Sequence, residues 1–433
     1  MVVGDAPVAG LPGLLDELRW RGMLQEHTPG LPERLASGRP ISGYNGFDPS
    51  GPWLHIGNLV PIFGLLHLQR AGGQPVVLVG GATGMIGDPS GRSSERTLLD
   101  ADQLGANAAS IRGQLERFLD FEPGSHGAVM VDNLDWLGGV SMLDFLRDVG
   151  KHFTVPYMLA KDSVQARLER GLSFTEFSYM LLQAADFLHL HRSRGVDLQM
   201  GGADQWGNIT AGLELIRRVE GADKGEPAFA LCYPLLTNPS GEKFGKTADG
   251  TSVWLDAEGT SPYAFYQYWL NAPDADVGQH LRFFTLFSAA EVADLETQQA
   301  ARPELRVAQR AVAFDLTARV HGESAARHAV AVSEAVFSRE PIRDPAILAT
   351  LHRDADGFTI IGTGDRVLDA FLVESGTMPS RSEARRMIAG GAISVNGERL
   401  TDPGARVPTP IDGEWWLVAV GKRRRRVGRL QRD

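Results

Sequence analysis

The sequence predicts an α/β fold built on a parallel sheet, followed by an α-helical stretch and a small α+β domain. Three observations lead there. Short apolar runs at Ile41–Phe47, Pro75–Val79 and Leu198–Met200 each pass into a polar or glycine-rich loop and then into helical apolar spacing, the pattern of βαβ units. A length of 433 residues exceeds what one hydrophobic core supports, so two or three domains are expected. Charge is unevenly spread: residues 365–433 hold 13 Lys or Arg against 9 Asp or Glu, and the residues before them 30 against 44. An acidic body therefore carries a basic terminal segment, and a nucleic-acid partner stays open despite the net charge of -10.

The elements follow in order. Leu14–Leu24 has helical apolar spacing, and Ile41–Phe47 reads as a short buried strand. His55-Ile56-Gly57-Asn58 leads into LVPIFGLLHLQRAG, a helix closed by glycine. Pro75–Val79 is a second strand, running into GGATGMIGDPSGRSSERT. Between Leu98 and Leu198 the period is mostly helical, with a short strand at Ala128–Val131. Leu198–Met200 then enters the turn GGADQWGN and a helix over Ile209–Val219, and Ala230–Leu236 is a further strand. SGEKFGKTADG has no apolar period and reads as a mobile loop. Ser261–Phe337 is helical, Ser338–Gly364 irregular, and a small domain closes the chain.

Composition narrows the class. Hydrophobic residues at 43% and charged residues at 22% suit a soluble globular protein. The single cysteine, Cys232, excludes an internal disulfide and a Cys-rich zinc site and fits a reducing compartment. The first residues lack a signal peptide's basic start and apolar run, and no stretch reaches a membrane span. A cytoplasmic protein with no membrane association is expected. His189 and His191 stand at i, i+2 on a helix and point apart, so they are read as surface residues and no metal is expected there.

Two motifs suit a nucleotide. His55-Ile56-Gly57-Asn58 sits past a strand at a helix start, where unpaired N–H groups favour phosphate and Gly57 permits close approach of a ring. Alone, it fits equally a capped helix with a solvated histidine. Lys243-Phe244-Gly245-Lys246-Thr247 places two ammonium groups three apart in a polar loop able to close over a polyphosphate, or simply a solvated turn. Gly245-Lys246-Thr247 also imitates the end of a P-loop, but Ser240 stands where the first glycine is required. Tyr179, Gln183 and Asp186 fall at i, i+4 and i+7, so one helical face can present all three to a pocket; otherwise Asp186 is an ordinary polar helix position.

Taken together, HIGN after the first strand and KFGKT late in the α/β portion form the paired signature of class I aminoacyl-tRNA synthetases. GFDPSGPWLHIGN, LVGGATGMIGDPSG, FTEFSYMLLQAADF, GGADQWGNITAGLELI and KFGKT resemble bacterial tyrosyl-tRNA synthetases in order and spacing, across essentially the whole chain. The resemblance implies a Rossmann-like catalytic domain over 1–235 binding tyrosine and ATP, a KFGKT loop segment over 236–260, an α-helical domain over 261–340, a linker over 341–364, and an S-four-like RNA-binding domain over 365–433. It implies activation of L-tyrosine with ATP and Mg²⁺, transfer to tRNA(Tyr), and a homodimer.

By the same resemblance Ser50 and His55 contact the pyrophosphate side of ATP, with Lys243, Lys246 and Thr247 closing over it and Arg92 and Arg96 adding charge. Gly46, Asp48, Gly57, Asn58, Gly202 and Asp204 belong to the ATP site. Tyr44 and Asp186 take the phenolic hydroxyl, Tyr179, Gln183 and Asp88 the α-ammonium, and Gln205 the carboxylate region, supported by Gln199. The chain departs from the commonest family form in carrying Asn58 for a second histidine, Pro61 in the first helical turn, and Arg92 for a lysine, which leaves that contact open.

The terminal segment, VLDAFLVESGTMPSRSEARRMIAGGAISVNGERL and GEWWLVAVGKRRRRVGRL, looks like the S-four-like domain shared with a ribosomal protein and pseudouridine synthases. Arg381, Arg385, Arg386, Lys422, Arg423 and Arg424 are its candidate RNA contacts, against the alternative of a solvated charged helix with a basic tail. A tryptophanyl-tRNA synthetase, a small-molecule nucleotidyltransferase and an RNA binder that has lost catalysis are the competing functions. Tyr44, KFGKT and the terminal domain weigh against the first, the terminal domain against the second, and the presence of His55, Lys243, Lys246, Tyr44 and Asp186 against the third.

Overall fold

The computed structural model describes residues 10–88, 101–161, 164–165, 171–221, 227–236, 251–338, 340–362, 364–421 and 424–432. The chain divides into two compact units, the first reaching to Thr260 and taking in Ala272–Val320, the second formed by Ser261–Asn271 and the chain from His321 onward.

The first unit is built on strands β1 (Glu26–His27), β2 (Ser42–Phe47), β3 (Gln74–Val79), β4 (Val129–Asp132), β5 (Leu198–Gly202) and β6 (Phe229–Tyr233). They lie in the order β1-β6-β5-β2-β3-β4. Every pairing is parallel except that of β1 with β6, which the sequence did not announce because β1 is only two residues long. The central strands read as continuous apolar runs, as expected where both faces of a parallel sheet are covered. From β2 the chain progresses to β3 and β4 on one side, whereas β5 and β6 lie on the other. The strand order therefore reverses between β2 and β5, and such a switch point opens a crevice at the carboxyl ends of the strands.

Three helices frame that crevice. Leu59–Arg70 is buried nearly throughout and lies against β2, β3 and β5. Gly64 is what lets it approach β6, because a Cβ there would stand 1.8 Å from the Tyr233 hydroxyl oxygen. Phe174–Arg194 begins with a capping box, Ser173 Oγ accepting from the Glu176 amide and the Glu176 carboxylate accepting from the Ser173 amide, and stops at Gly195, whose φ of 65° is left-handed. Trp206–Glu220 packs on Phe174–Arg194. Tyr44, Val76, Leu78, Phe187, Leu190 and Ile216 join in one buried cluster, so the pocket-forming strand and helix are fixed by the same core. Each such apolar side chain, fully buried, contributes about 1.5–3 kcal/mol.

The helical stretch after residue 260 is shared: Asp274–Phe284, Ala289–Ala301 and most of Val307–His321 belong to the first unit, Pro262–Leu270 and Glu323–Phe337 to the second. Pro345–Asp354 is a helix burying Ile347, Leu348 and Leu351 where an irregular linker was expected. Phe358–Ile361, strand β7, pairs in parallel with the last strand. Both are short elements whose few apolar positions carry too weak a period to read in advance.

The second unit continues with helices Leu368–Glu374 and Arg381–Ala389 and with strands β8 (Ile393–Val395), β9 (Glu398–Leu400), β10 (Trp415–Val420) and β11 (Arg424–Gln431), in sheet order β7-β11-β10-β8-β9. Phe358, Leu368, Phe371, Ile388, Trp416 and Val418 lie in its core. The Arg run, which the alternative reading took as a basic tail, enters strand β11 of the folded domain. Arg426 is buried within it, donating to the Ser375 carbonyl at 2.6 Å and pairing with Asp356, while Arg424, Arg425 and Arg429 stay exposed.

Candidate active site

Tyr44 lies on β2 beside Gln199 of β5, at the switch point itself. It is 1% exposed, its ring leans on Phe187 at 5.3 Å, and its hydroxyl finds no hydrogen-bond partner among the described residues. A buried hydroxyl without a partner is costly to leave so, and a substrate group that bonds it removes that cost. Gln199 Oε1 is likewise buried without a partner among the described residues. Burial, together with the nearby Asp186 carboxylate, pushes the Tyr44 phenol well above its ordinary range, so it stays protonated.

Asp186 is 2% exposed and projects from Phe174–Arg194 toward the end of β4. Asn133 Nδ2 donates to its Oδ2 at 2.9 Å and Trp136 Nε1 to its Oδ1 at 2.8 Å. Burial raises its pKa to about 7, with Asn133 and Trp136 pulling down and Asp48 and Asp132 pushing up. Sequence reasoning missed both donors. The signal was present in VDNLDW, where polar groups follow a strand at its carboxyl end. Asn133 also donates to Thr83 Oγ1 at 3.0 Å and accepts from the Ala82 amide at 2.8 Å, so it ties the glycine-rich turn after β3 to the same carboxylate.

Tyr179, seven residues before Asp186 on the same helix, directs its hydroxyl at Asp48, 3.3 Å from Oδ2, and Thr83 Oγ1 donates to Asp48 Oδ1 at 3.1 Å. Gln183 is half-buried between Tyr179 and Asp186 in sequence. Gln205 Nε2 donates to Asp88 Oδ2 at 2.6 Å, and Asn208 Nδ2 to Gln205 Oε1 at 3.2 Å. Gly202 and Asp204 stand at the turn closing β5, where a Cβ on Gly202 would meet Asp204 Oδ1 at 2.6 Å. Gly46 is the exposed position of β2, and Ser50 is exposed in the loop that follows.

His55 caps the turn Ile56–Asn58 that opens helix Leu59–Arg70. Its Nδ1 accepts from the Gly57 amide at 3.0 Å, and its own amide donates to Asn58 Oδ1 at 3.0 Å. With Nδ1 used as an acceptor, the proton of the neutral ring sits on Nε2, which makes that nitrogen a donor. Asn58 spends its carbonyl oxygen on the cap and keeps its amide hydrogens as donors. Residues 253–255 form backbone bonds with this motif, the Ile56 amide to the Val253 carbonyl at 2.9 Å and the Leu255 amide to the Leu54 carbonyl at 2.7 Å. Arg92, Arg96, Lys243, Lys246, Thr247, Lys422 and Arg423 lie outside the described residues.

The two histidines read as surface residues are both engaged. His189 stacks on Trp136 at 4.4 Å and 9°, and His191 Nδ1 meets the Val196 carbonyl at 2.9 Å.

In the second unit, a cleft of about 600 Å³ is lined by Arg366, Arg381, Arg385 and Arg406 together with Asp369 and Asp402. Arg385 is 62% exposed yet bridges to buried Asp369 at 2.7 Å, and Arg386 bridges to Glu383 at 3.3 Å. Arg424 reaches the Thr377 carbonyl at 3.4 Å.

The profile of class I tRNA synthetases (W and Y) matches residues 36–338, and that of the S4 domain matches residues 368–409. A tyrosine–tRNA ligase of Roseiflexus castenholzii is 49% identical over 427 residues, covering 96% of this chain and 99% of the relative. One of Geobacillus stearothermophilus is 49% identical over 416 residues, covering 95% and 98%. Among solved structures, a C-terminally truncated mitochondrial tyrosyl-tRNA synthetase of Coccidioides posadasii superposes with a TM-score of 0.64 at 30% identity, covering 73% of this chain and 91% of its own.

Proposed function

The chain belongs to the class I tRNA synthetases of the tryptophan and tyrosine branch, and from that premise we propose that it joins L-tyrosine to tRNA(Tyr) at the expense of ATP. The observation that carries the choice of amino acid is the buried Tyr44 hydroxyl, without a partner among the described residues, beside the buried Asp186 carboxylate. One donor and one acceptor buried side by side match a phenol. A pocket whose buried polar groups are built for a hydroxyl rejects the analogue lacking it, behaviour for which tyrosine-selecting synthetases are the reference example.

In the first step an oxygen of the tyrosine carboxylate attacks the α-phosphorus of ATP, the bond to the bridging oxygen breaks, and pyrophosphate leaves. A carboxylate needs no base, so the work is alignment and charge. Tyr179, Gln183 and Asp88 hold the α-ammonium, with Gln205 near the carboxylate. Gly46, Asp48, Gly57, Gly202 and Asp204 shape the nucleoside site, where the glycines admit close approach. His55 Nε2, Asn58 and Ser50 face the phosphates, and Lys243, Lys246, Thr247, Arg92 and Arg96 complete the charge around them. In the second step a terminal ribose hydroxyl of the tRNA attacks the activated carbonyl and AMP leaves.

Mg²⁺ arrives with the triphosphate as part of the substrate; among the described residues no group of three His, Cys, Asp or Glu stands ready to hold a metal. The S4 domain contacts tRNA through phosphate and RNA shape, with Arg381, Arg385, Arg386 and Arg424, and with Lys422 and Arg423, as its basic groups. The protein works in the cytoplasm, where tRNA charging supplies the ribosome. It works as a homodimer: of the twelve large apolar residues exposed among the described ones, seven fall between Leu134 and Phe174, which concentrates surface suited to a second copy in one segment.

Amino-acid-dependent ATP–pyrophosphate exchange tests the reading, run with tyrosine, tryptophan and phenylalanine on the wild type and on Lys246→Ala. Exchange with tyrosine alone, strongly reduced in the variant, is expected. Exchange driven by tryptophan overturns the pocket assignment.

A further inference from the structure

Asp186 and His189 stand three residues apart on helix Phe174–Arg194, one turn along the same face, and both act on a single indole. Asp186 Oδ1 takes the Trp136 N–H at 2.8 Å, and the His189 imidazole lies flat on the Trp136 ring, centroids 4.4 Å apart and planes within 9°. Trp136 rides on the helical turn Leu134–Leu137, which has no fully buried residue. Its indole is itself only partly buried against the cluster that contains Tyr44. Bulk packing thus does not enclose this ring, and an indole N–H is a directional donor that loses its bond when the ring rotates.

We propose that His189 is a positioning residue for tyrosine recognition: by stacking on Trp136 it fixes the indole N–H on Asp186 Oδ1 and so sets the orientation of the carboxylate that receives the substrate phenol. The inference rests on the pocket reading above and adds to it a residue that touches neither substrate nor Asp186. Partial burial, with Arg194 nearby, lowers the pKa of His189, so at neutral pH the ring is uncharged and the contact is a stack of two neutral aromatic planes. A flat apolar ring at this position should therefore serve as well, whereas an aliphatic side chain of similar bulk should not.

The test is pyrophosphate exchange on the full chain with His189→Ala, His189→Leu and His189→Phe, beside Asp186→Asn. His189→Ala and His189→Leu are expected to raise KM for tyrosine by roughly two- to tenfold, the range a stacked pair is worth. kcat and KM for ATP should stay at wild-type values, and His189→Phe should restore tyrosine KM. A merely structural role would move thermal stability and leave tyrosine KM unchanged, or shift every kinetic parameter together; either result overturns the proposal. If Asp186→Asn weakens tyrosine while His189→Ala and His189→Leu do not, this inference fails and the pocket reading stands. If Asp186→Asn leaves tyrosine KM unchanged, the pocket reading fails and takes the inference with it.

Discussion

Asn133 Nδ2 donates to Asp186 Oδ2 at 2.9 Å, linking the carboxyl end of β4 to the helix that carries the candidate tyrosine-recognising carboxylate. The same side chain accepts from the Ala82 amide. Asn133→Ala leaves a buried carboxylate oxygen and a backbone N–H short of a partner. A loss of about 1–3 kcal/mol in folding stability is expected, together with a raised KM for tyrosine. Urea denaturation and pyrophosphate exchange on one preparation measure both, and unchanged stability with unchanged KM would mean that Asn133 does not hold this carboxylate.

The titration of Asp186 gives a signed prediction. Its pKa is raised by burial to about 7 in the folded chain, against the ordinary carboxyl value in the unfolded one. Between those two values the native state holds a proton that the unfolded state has lost, so this group's contribution to stability is full below the unfolded pKa and falls as pH rises through about 7. Asp186→Asn removes the dependence. The Tm of the variant should gain on that of the wild type as pH goes from 5 to 8; parallel curves would contradict the shift.

Substrate affinity should move the other way. The tyrosine phenol donates to the ionised carboxylate, so KM for tyrosine should fall as pH climbs from 6 to 8 and level off above the Asp186 pKa of about 7. In Asp186→Asn the profile should flatten. A wild-type KM indifferent to pH over this range would show that the carboxylate is already ionised in the empty pocket.

Gly64→Ala tests the approach of helix Leu59–Arg70 to the sheet. Its Cβ would fall 1.8 Å from Tyr233 Oη and 2.2 Å from Cζ, too close for a side-chain adjustment alone. A loss of about 1–3 kcal/mol, or more if the helix moves, is expected in chemical denaturation. Because His55 caps the turn that opens that helix, KM for ATP should rise with it.

Leu143 is 79% exposed and Met142 is 71% exposed. If that segment is where two copies meet, Leu143→Lys should shift the sedimentation equilibrium of the protein toward monomer at micromolar concentration. An unchanged dimer would place the interface elsewhere.

The sheet was legible in the sequence wherever a strand was long and apolar: β2, β3, β5 and β6 fall within a few residues of the runs that announced them. What escaped was β1, two residues whose antiparallel pairing depends wholly on β6, and the helix and strand at 345–361, whose short apolar patterns only acquire meaning against a partner. In the site, Tyr44 and Asp186 were reached through motif order and helical spacing. Asn133, Trp136 and Thr83 were not, because each acts through a contact 50 or more residues away along the chain that no local period encodes. The Arg run of β11 shows the same limit: of identical neighbours, Arg424 and Arg425 stay in solvent while Arg426 is buried and bonded to the Ser375 carbonyl once the strand forms.

The most direct measurement is calorimetric titration of the full chain with tyrosine and with phenylalanine, in wild type and in Asp186→Asn. Strong preference for tyrosine is expected in the wild type, and collapse of that preference in the variant, through lost tyrosine affinity. A wild type that binds both amino acids alike, or a variant that keeps its preference, would contradict the assignment of Asp186 as the group that recognises the phenol.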